Sequence, residues 1–89
     1  MKLTSDVYKE LAGLYVNQLV SNKYDLNDHE RENIREKNAQ FAARLDALGV
    51  PWKIQNAIAA AGERRENWGR YNRDVIREVI ARRGSQNND

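Results

Sequence analysis

Apolar residues recur at helical rather than alternating spacing along most of the chain, which predicts an all-α protein. The first run is the densest, with Val7, Tyr8, Leu11, Ala12, Leu14, Tyr15, Val16, Leu19 and Val20 within fourteen positions. At about 100° per residue they cover well over half of a helix circumference, more than a single neighbour can bury. Such a helix is either the centre of a bundle, touched on two sides, or it lends part of its surface to a second chain. Thr4 or Ser5 is placed to cap its start, Asp6 suits the positive end of the helix dipole, and the helix is expected to run to about Asn22.

A polar loop from Asn22 to Asn27 separates it from a helix of different character. Asn27 followed three residues on by Glu30 has the spacing of a capping box. The next two turns, Asp28 to Lys37, are almost wholly charged, and only Ile34, Phe41, Leu45 and Leu48 form a narrow apolar stripe. That is the pattern of an outer helix with one buried edge. Gly49 suits its C-terminal cap, and Pro51 the first turn of a third helix.

The third helix places Ile54, Ala57, Ile58 and Ala61 on one side, small residues that allow close approach of another backbone. It either ends at Gly62 or continues to about Trp68, so residues 51–83 form one bent helix or two. The last helical stretch carries Trp68, Val75, Ile76, Val79 and Ile80 on one face and is expected to finish at Arg82 and Arg83 with Gly84 as cap. These elements predict a compact bundle of three to four helices in one domain, residues 1–84, followed by a disordered polar tail, residues 85–89.

Composition narrows the chemistry. Eighty-nine residues allow one modest core, and the 40% apolar and 31% charged fractions are those of a folded globular chain. The absence of cysteine excludes disulfides, thiolate nucleophiles and Cys-ligated metal sites. The N-terminus turns polar at once, without the apolar stretch of a signal peptide, and Asn17 and Gln18 interrupt the longest apolar run, so a cytoplasmic protein without a membrane span is expected. The net charge of +2 is unevenly spread: residues 1–50 hold seven Lys and Arg against eight Asp and Glu, residues 51–89 eight against five. Seven of the eight cations in the second half are Arg, the type suited to bidentate contacts with phosphate or carboxylate.

Nucleophilic or acid–base catalysis requires an activated group beside an oriented base, and no such set is evident. The single histidine, His29, stands among charged neighbours and reads as a solvated surface residue. Asp28, Glu32 and Glu36 share a helix face, but Arg31 and Arg35 partly neutralise them, which describes a solvated mixed-charge face. No glycine-rich phosphate loop is present, since the five glycines are scattered singly. Neither a cofactor nor a metal is expected.

The last helix offers the more distinctive surface. Arg70, Arg73 and Arg77 fall on one side, opposite the apolar stripe, with Arg64, Arg65, Arg82 and Arg83 at either end. Glu66, Asp74 and Glu78 lie three or four residues before Arg70, Arg77 and Arg82, so an ordinary salt-bridged face is the first reading. A protein-binding or nucleic-acid-binding face is the functional alternative. The order of elements over residues 51–80 is that of a helix-turn-helix, but the match is poor: Glu63 occupies the turn, Gly69 interrupts the would-be recognition helix, and no cluster of Ser, Thr or Gln stands at its start to read base edges. Core filling is the default expectation for Trp52 and Trp68. Of the two, Trp52 is the better interface candidate, because it sits beside Pro51 on a side away from Ile54 and Ile58.

The sequence therefore points to a non-enzymatic protein-interaction module. It reads as a small adaptor or stoichiometric inhibitor that occludes a surface of a larger, nucleic-acid-handling protein, with Trp52, Arg64, Arg65, Arg70, Arg73 and Arg77 as contact residues. Its size and economy fit proteins encoded by phages and other mobile elements. The alternative is direct DNA or RNA binding through the arginine row, as a homodimer joined by the surplus apolar area of the first helix.

Overall fold

Thr4 begins the first helix as its hydroxyl allows: its backbone is extended and its Oγ1 accepts a hydrogen bond from the Val7 amide at 3.2 Å. The structure, a computed structural model, describes residues 3–22, 25–64 and 72–86, with residues 72 and 83–86 described by backbone alone. Among these residues are four helices and no strand: α1 (Ser5–Ser21), α2 (Asp28–Ala47), α3 (Trp52–Glu63) and α4 (Asn72–Gln86). None is long and apolar enough to cross a membrane.

The capping box at α2 is complete. Asn27 Oδ1 accepts from the Glu30 amide at 2.8 Å, and Glu30 Oε1 accepts from the Asn27 amide at 3.1 Å. The first six residues of α2 are exposed, so tertiary packing contributes little to holding this turn and the cap carries more of it. Asn27→Ala is therefore expected to cost about 1 kcal/mol of global stability in urea unfolding. Hydrogen exchange of the Glu30 and Arg31 amides, which donate to Asn27, should quicken by more than that global loss accounts for, because the helix start opens locally.

The other end of α2 forms a Schellman motif. Gly49 adopts φ +79°, its amide donates to Asp46 O, and the Val50 amide donates to Leu45 O, both at 3.0 Å. The apolar contact that accompanies this motif is supplied by Leu45 and Val50, both buried. This turn corrects the predicted stripe. Leu48, the C-cap, is left 42% exposed, while Val50, past the glycine, points into the core. Pro51 serves as the N-cap of α3, so the helix itself begins one residue later, at Trp52.

Helix α1 is the centre of the bundle and packs against α2, α3 and α4; α3 also packs on α4, and α2 touches α3 only lightly. The core runs through Leu11, Leu14 and Tyr15 of α1, Leu45 of α2, Ile54, Ala57, Ile58 and Ala61 of α3, and Val75, Ile76 and Val79 of α4. The wide apolar arc of α1 is thus met largely by neighbours within the chain, with Val16 its one exposed large hydrophobic residue among those described. Two glycines make the close contacts possible. A Cβ on Gly62 would lie 2.3 Å from Tyr15 O, and one on Gly13 would lie 2.4 Å from the Phe41 ring.

Helix α3 passes through Gly62 and stops after Glu63, with Arg64 as C-cap donating its amide to Ala60 O at 3.0 Å. Gly62 is therefore a crossing point rather than a terminator, and α3 does not reach Trp68. Helix α4 continues through Gly84 to Gln86, so Gly84 is not its cap, and Ser85 and Gln86 belong to the helix rather than to a tail. Residues 65–71, which include Trp68 and Gly69, and residues 87–89 lie outside the described residues.

Two buried polar side chains tie the elements together. Asn17 Nδ2 donates to Ile34 O and to Asn38 Oδ1, each at 2.9 Å, fixing α1 against α2. Gln55 Nε2 donates to Asp46 Oδ1 at 2.7 Å and to Val50 O at 3.0 Å, locking the start of α3 to the turn before it. Both satisfy their amide donors inside the protein, as buried polar groups must.

Candidate functional site

The turn between α2 and α3 places an apolar corner on the surface. Trp52 is 71% exposed, Leu48 is 42% exposed, and Pro51 between them is exposed as well. The cause is local. Gly49 reverses the chain, Val50 is drawn inward, and Pro51 starts α3 so that Trp52 stands about 200° round the helix from the buried Ile54. Core filling, the default expectation for this tryptophan, does not hold. Large apolar side chains grouped on a surface mark interaction sites more often than scattered ones do.

Beside the corner, Leu48 and Ala47 share a shallow groove with Asp6, Lys9, Glu10 and Arg44. Arg44 forms its charged wall. Its Nε donates to Glu10 Oε2 at 2.6 Å across the α1–α2 contact, and its guanidinium lies 5.1 Å from the centre of the Phe41 ring. An apolar centre with a charged, partly pre-ordered edge is the arrangement seen at protein-binding hot spots.

Of the predicted arginine row, Arg73 and Arg77 are brought together and both are exposed. Their guanidinium carbons lie 5.3 Å and 5.7 Å from the centre of the Tyr8 ring, and Arg77 Nε donates to Tyr8 Oη. Arg77 thus turns across to α1, where the sequence had paired it with Asp74 on its own helix. Arg64 lies at the end of α3; Arg65 and Arg70 lie outside the described residues. The sequence reading missed Tyr8, which it counted in the apolar arc of the first helix. The ring is half-buried, Arg73 lies near it and Arg77 donates to its hydroxyl. It also missed Lys9, which with Ser5, Tyr8, Ala12, Arg73 and Ile76 lines a groove between α1 and α4.

The remaining candidates are surface features. His29 is exposed in the first turn of α2. In the carboxylate row, Glu32 pairs with Arg35 at 3.0 Å with both side chains more than half exposed, an arrangement worth little in water. Among the described residues no three His, Asp or Glu gather to hold a metal ion. The described surface carries an apolar corner at Leu48, Pro51 and Trp52 and, between α1 and α4, a groove lined by Lys9 and Arg73. No protein-family model, curated protein or solved structure matches the chain.

Proposed function

We propose that the protein is a non-enzymatic interaction module, an adaptor or stoichiometric inhibitor, that covers a surface of a larger protein by inserting Trp52 and Leu48. The observation that carries this reading is the 71% exposure of Trp52 at a rigidly built turn. The Schellman motif, Pro51 and the Gln55 hydrogen bonds hold the corner in one shape, so docking it requires little further ordering. A tryptophan offered this way loses few side-chain degrees of freedom on binding and hides a large apolar area, which is why it recurs at hot spots. The excess of arginine in the second half favours a partner surface that bears carboxylates beside the apolar pocket.

Trp52→Ala separates binding from folding. Because the side chain is mostly in water, its removal should change stability by no more than about 0.5 kcal/mol. Partner affinity should fall by about 2 kcal/mol or more, roughly thirty-fold. Circular dichroism melts and surface-plasmon titration against the partner recovered from nuclease-treated lysate check the two halves. Salt should act mainly on the association rate, since the anchor is apolar. An affinity that survives Trp52→Ala would remove the corner from the interface.

A further inference from the structure

Lys9 of α1 and Arg73 of α4 are far apart in sequence and meet at one groove, and Arg77 stands beside it, donating to the hydroxyl of its Tyr8. Its lining among the described residues, Ser5, Tyr8, Lys9, Ala12, Arg73 and Ile76, contains no carboxylate. The acidic residues of α1 turn the other way: Asp6 and Glu10 line the neighbouring groove, where Glu10 is held by Arg44. Arg73 lies 5.3 Å from the centre of the Tyr8 ring and Arg77 donates to its hydroxyl, so one tyrosine gathers two cations. The arrangement is complementary to an anion lying along the groove.

We propose that the α1–α4 groove is a backbone-contact site for a nucleic-acid strand, with Lys9 and Arg73 neutralising phosphates, Arg77 adding positive charge from beside Tyr8, and the Ser5 hydroxyl available as an additional donor. Lysine, arginine and a hydroxyl together are the usual equipment for phosphate contacts, and they position a strand without reading its sequence. The groove is open and its cations are exposed, so each contact is screened and weak alone. A free phosphate ion is accordingly held poorly, whereas a polymer adds contacts in series. Lys9 lines both this groove and the one beside Leu48. The inference stands independently of the docking reading at Trp52, and the two fail separately.

The test is fluorescence anisotropy of the full chain with a short labelled oligonucleotide, single-stranded and annealed, over a salt series. Inorganic phosphate, poly-glutamate and anionic lipid vesicles serve as competing ligands. Affinity should fall linearly with salt on a double-logarithmic plot. Lys9→Ala and Arg73→Gln should each reduce the slope by about 0.7 for the single strand, which at about 0.1 M salt is roughly five-fold weaker binding. Trp52→Ala should leave strand binding unchanged. Lys9 is exposed, so its variant retains the fold even if Arg73→Gln loosens the packing on Tyr8, and circular dichroism verifies both. The proposal is overturned if the wild-type chain binds no strand, if binding ignores both substitutions, or if poly-glutamate, vesicles or inorganic phosphate compete as well as unlabelled strand.

Discussion

Gly62→Ala is expected to destabilise the protein by about 2 kcal/mol, and Gly62→Val by about 3 kcal/mol or more, although both replace a glycine in a helix. Helix propensity alone favours the alanine by about 1 kcal/mol. Against that gain stands a Cβ 2.3 Å from Tyr15 O and 3.1 Å from Gln18 Cβ. The first of these is backbone in the middle of the central helix, so it cannot move unless α1 and α3 part, and those two helices hold much of the core between them. Gly13→Ala is the control. Its Cβ would meet Phe41 Cε1 at 2.4 Å and Cζ at 2.6 Å, the far end of a half-buried side chain that can swing aside. Its net effect should stay within about 1 kcal/mol, since the gain in propensity and the repacking of Phe41 oppose each other. Urea unfolding of the two variants settles the comparison. A Gly62→Ala protein as stable as the Gly13→Ala protein would mean that α1 and α3 do not cross as closely as described.

Leu11→Ala should cost about 3 kcal/mol, and Leu48→Ala less than about 1 kcal/mol, though both residues belong to predicted apolar stripes. Leu11 is fully buried at the centre of α1, where truncation leaves a cavity that three surrounding helices cannot collapse. Leu48 stands at the surface and leaves no hole. For a domain of this size the Leu11 variant should melt roughly 12 to 24 °C below wild type. It would retain only a small part of the marginal stability that domains possess. Equal melting temperatures for the two variants would contradict the placement of the core.

The parts of the fold that were legible in the sequence are those governed by local rules. Thr4, the Asn27–Glu30 box and Gly49 act through hydrogen bonds or dihedral angles spanning three or four residues, and each performs as its type and spacing predict. The central position of α1 was legible too, because the width of an apolar arc sets how many neighbours it needs. What periodicity could not show were effects that depend on a turn or a distant partner. The Schellman turn exchanges Leu48 for Val50 in the core, and pattern alone continues the stripe. Asn17 read as a polar interruption, yet it is buried because α2 brings Ile34 O and Asn38 to it. Tyr8 counted as apolar, and the cations beside it come from the other end of the chain. Gly84 has the type of a helix cap, but glycine ends a helix only where the chain turns left-handed, and α4 runs through it. Of the candidate site, the placement of Trp52 on a side away from Ile54 was legible from their spacing, while its exposure and the company of Leu48 required the fold.

The central claim, that the α2–α3 corner is a protein-docking surface, is tested most directly by a photo-crosslinking amino acid placed at position 52. The same group at Glu36, on an exposed face of α2, serves as control. Irradiation in nuclease-treated lysate of the organism that encodes the chain should yield one dominant adduct from position 52, a single protein in stoichiometric amount, and none from position 36. Adducts of equal yield and variety from both positions, or none from either, would contradict it.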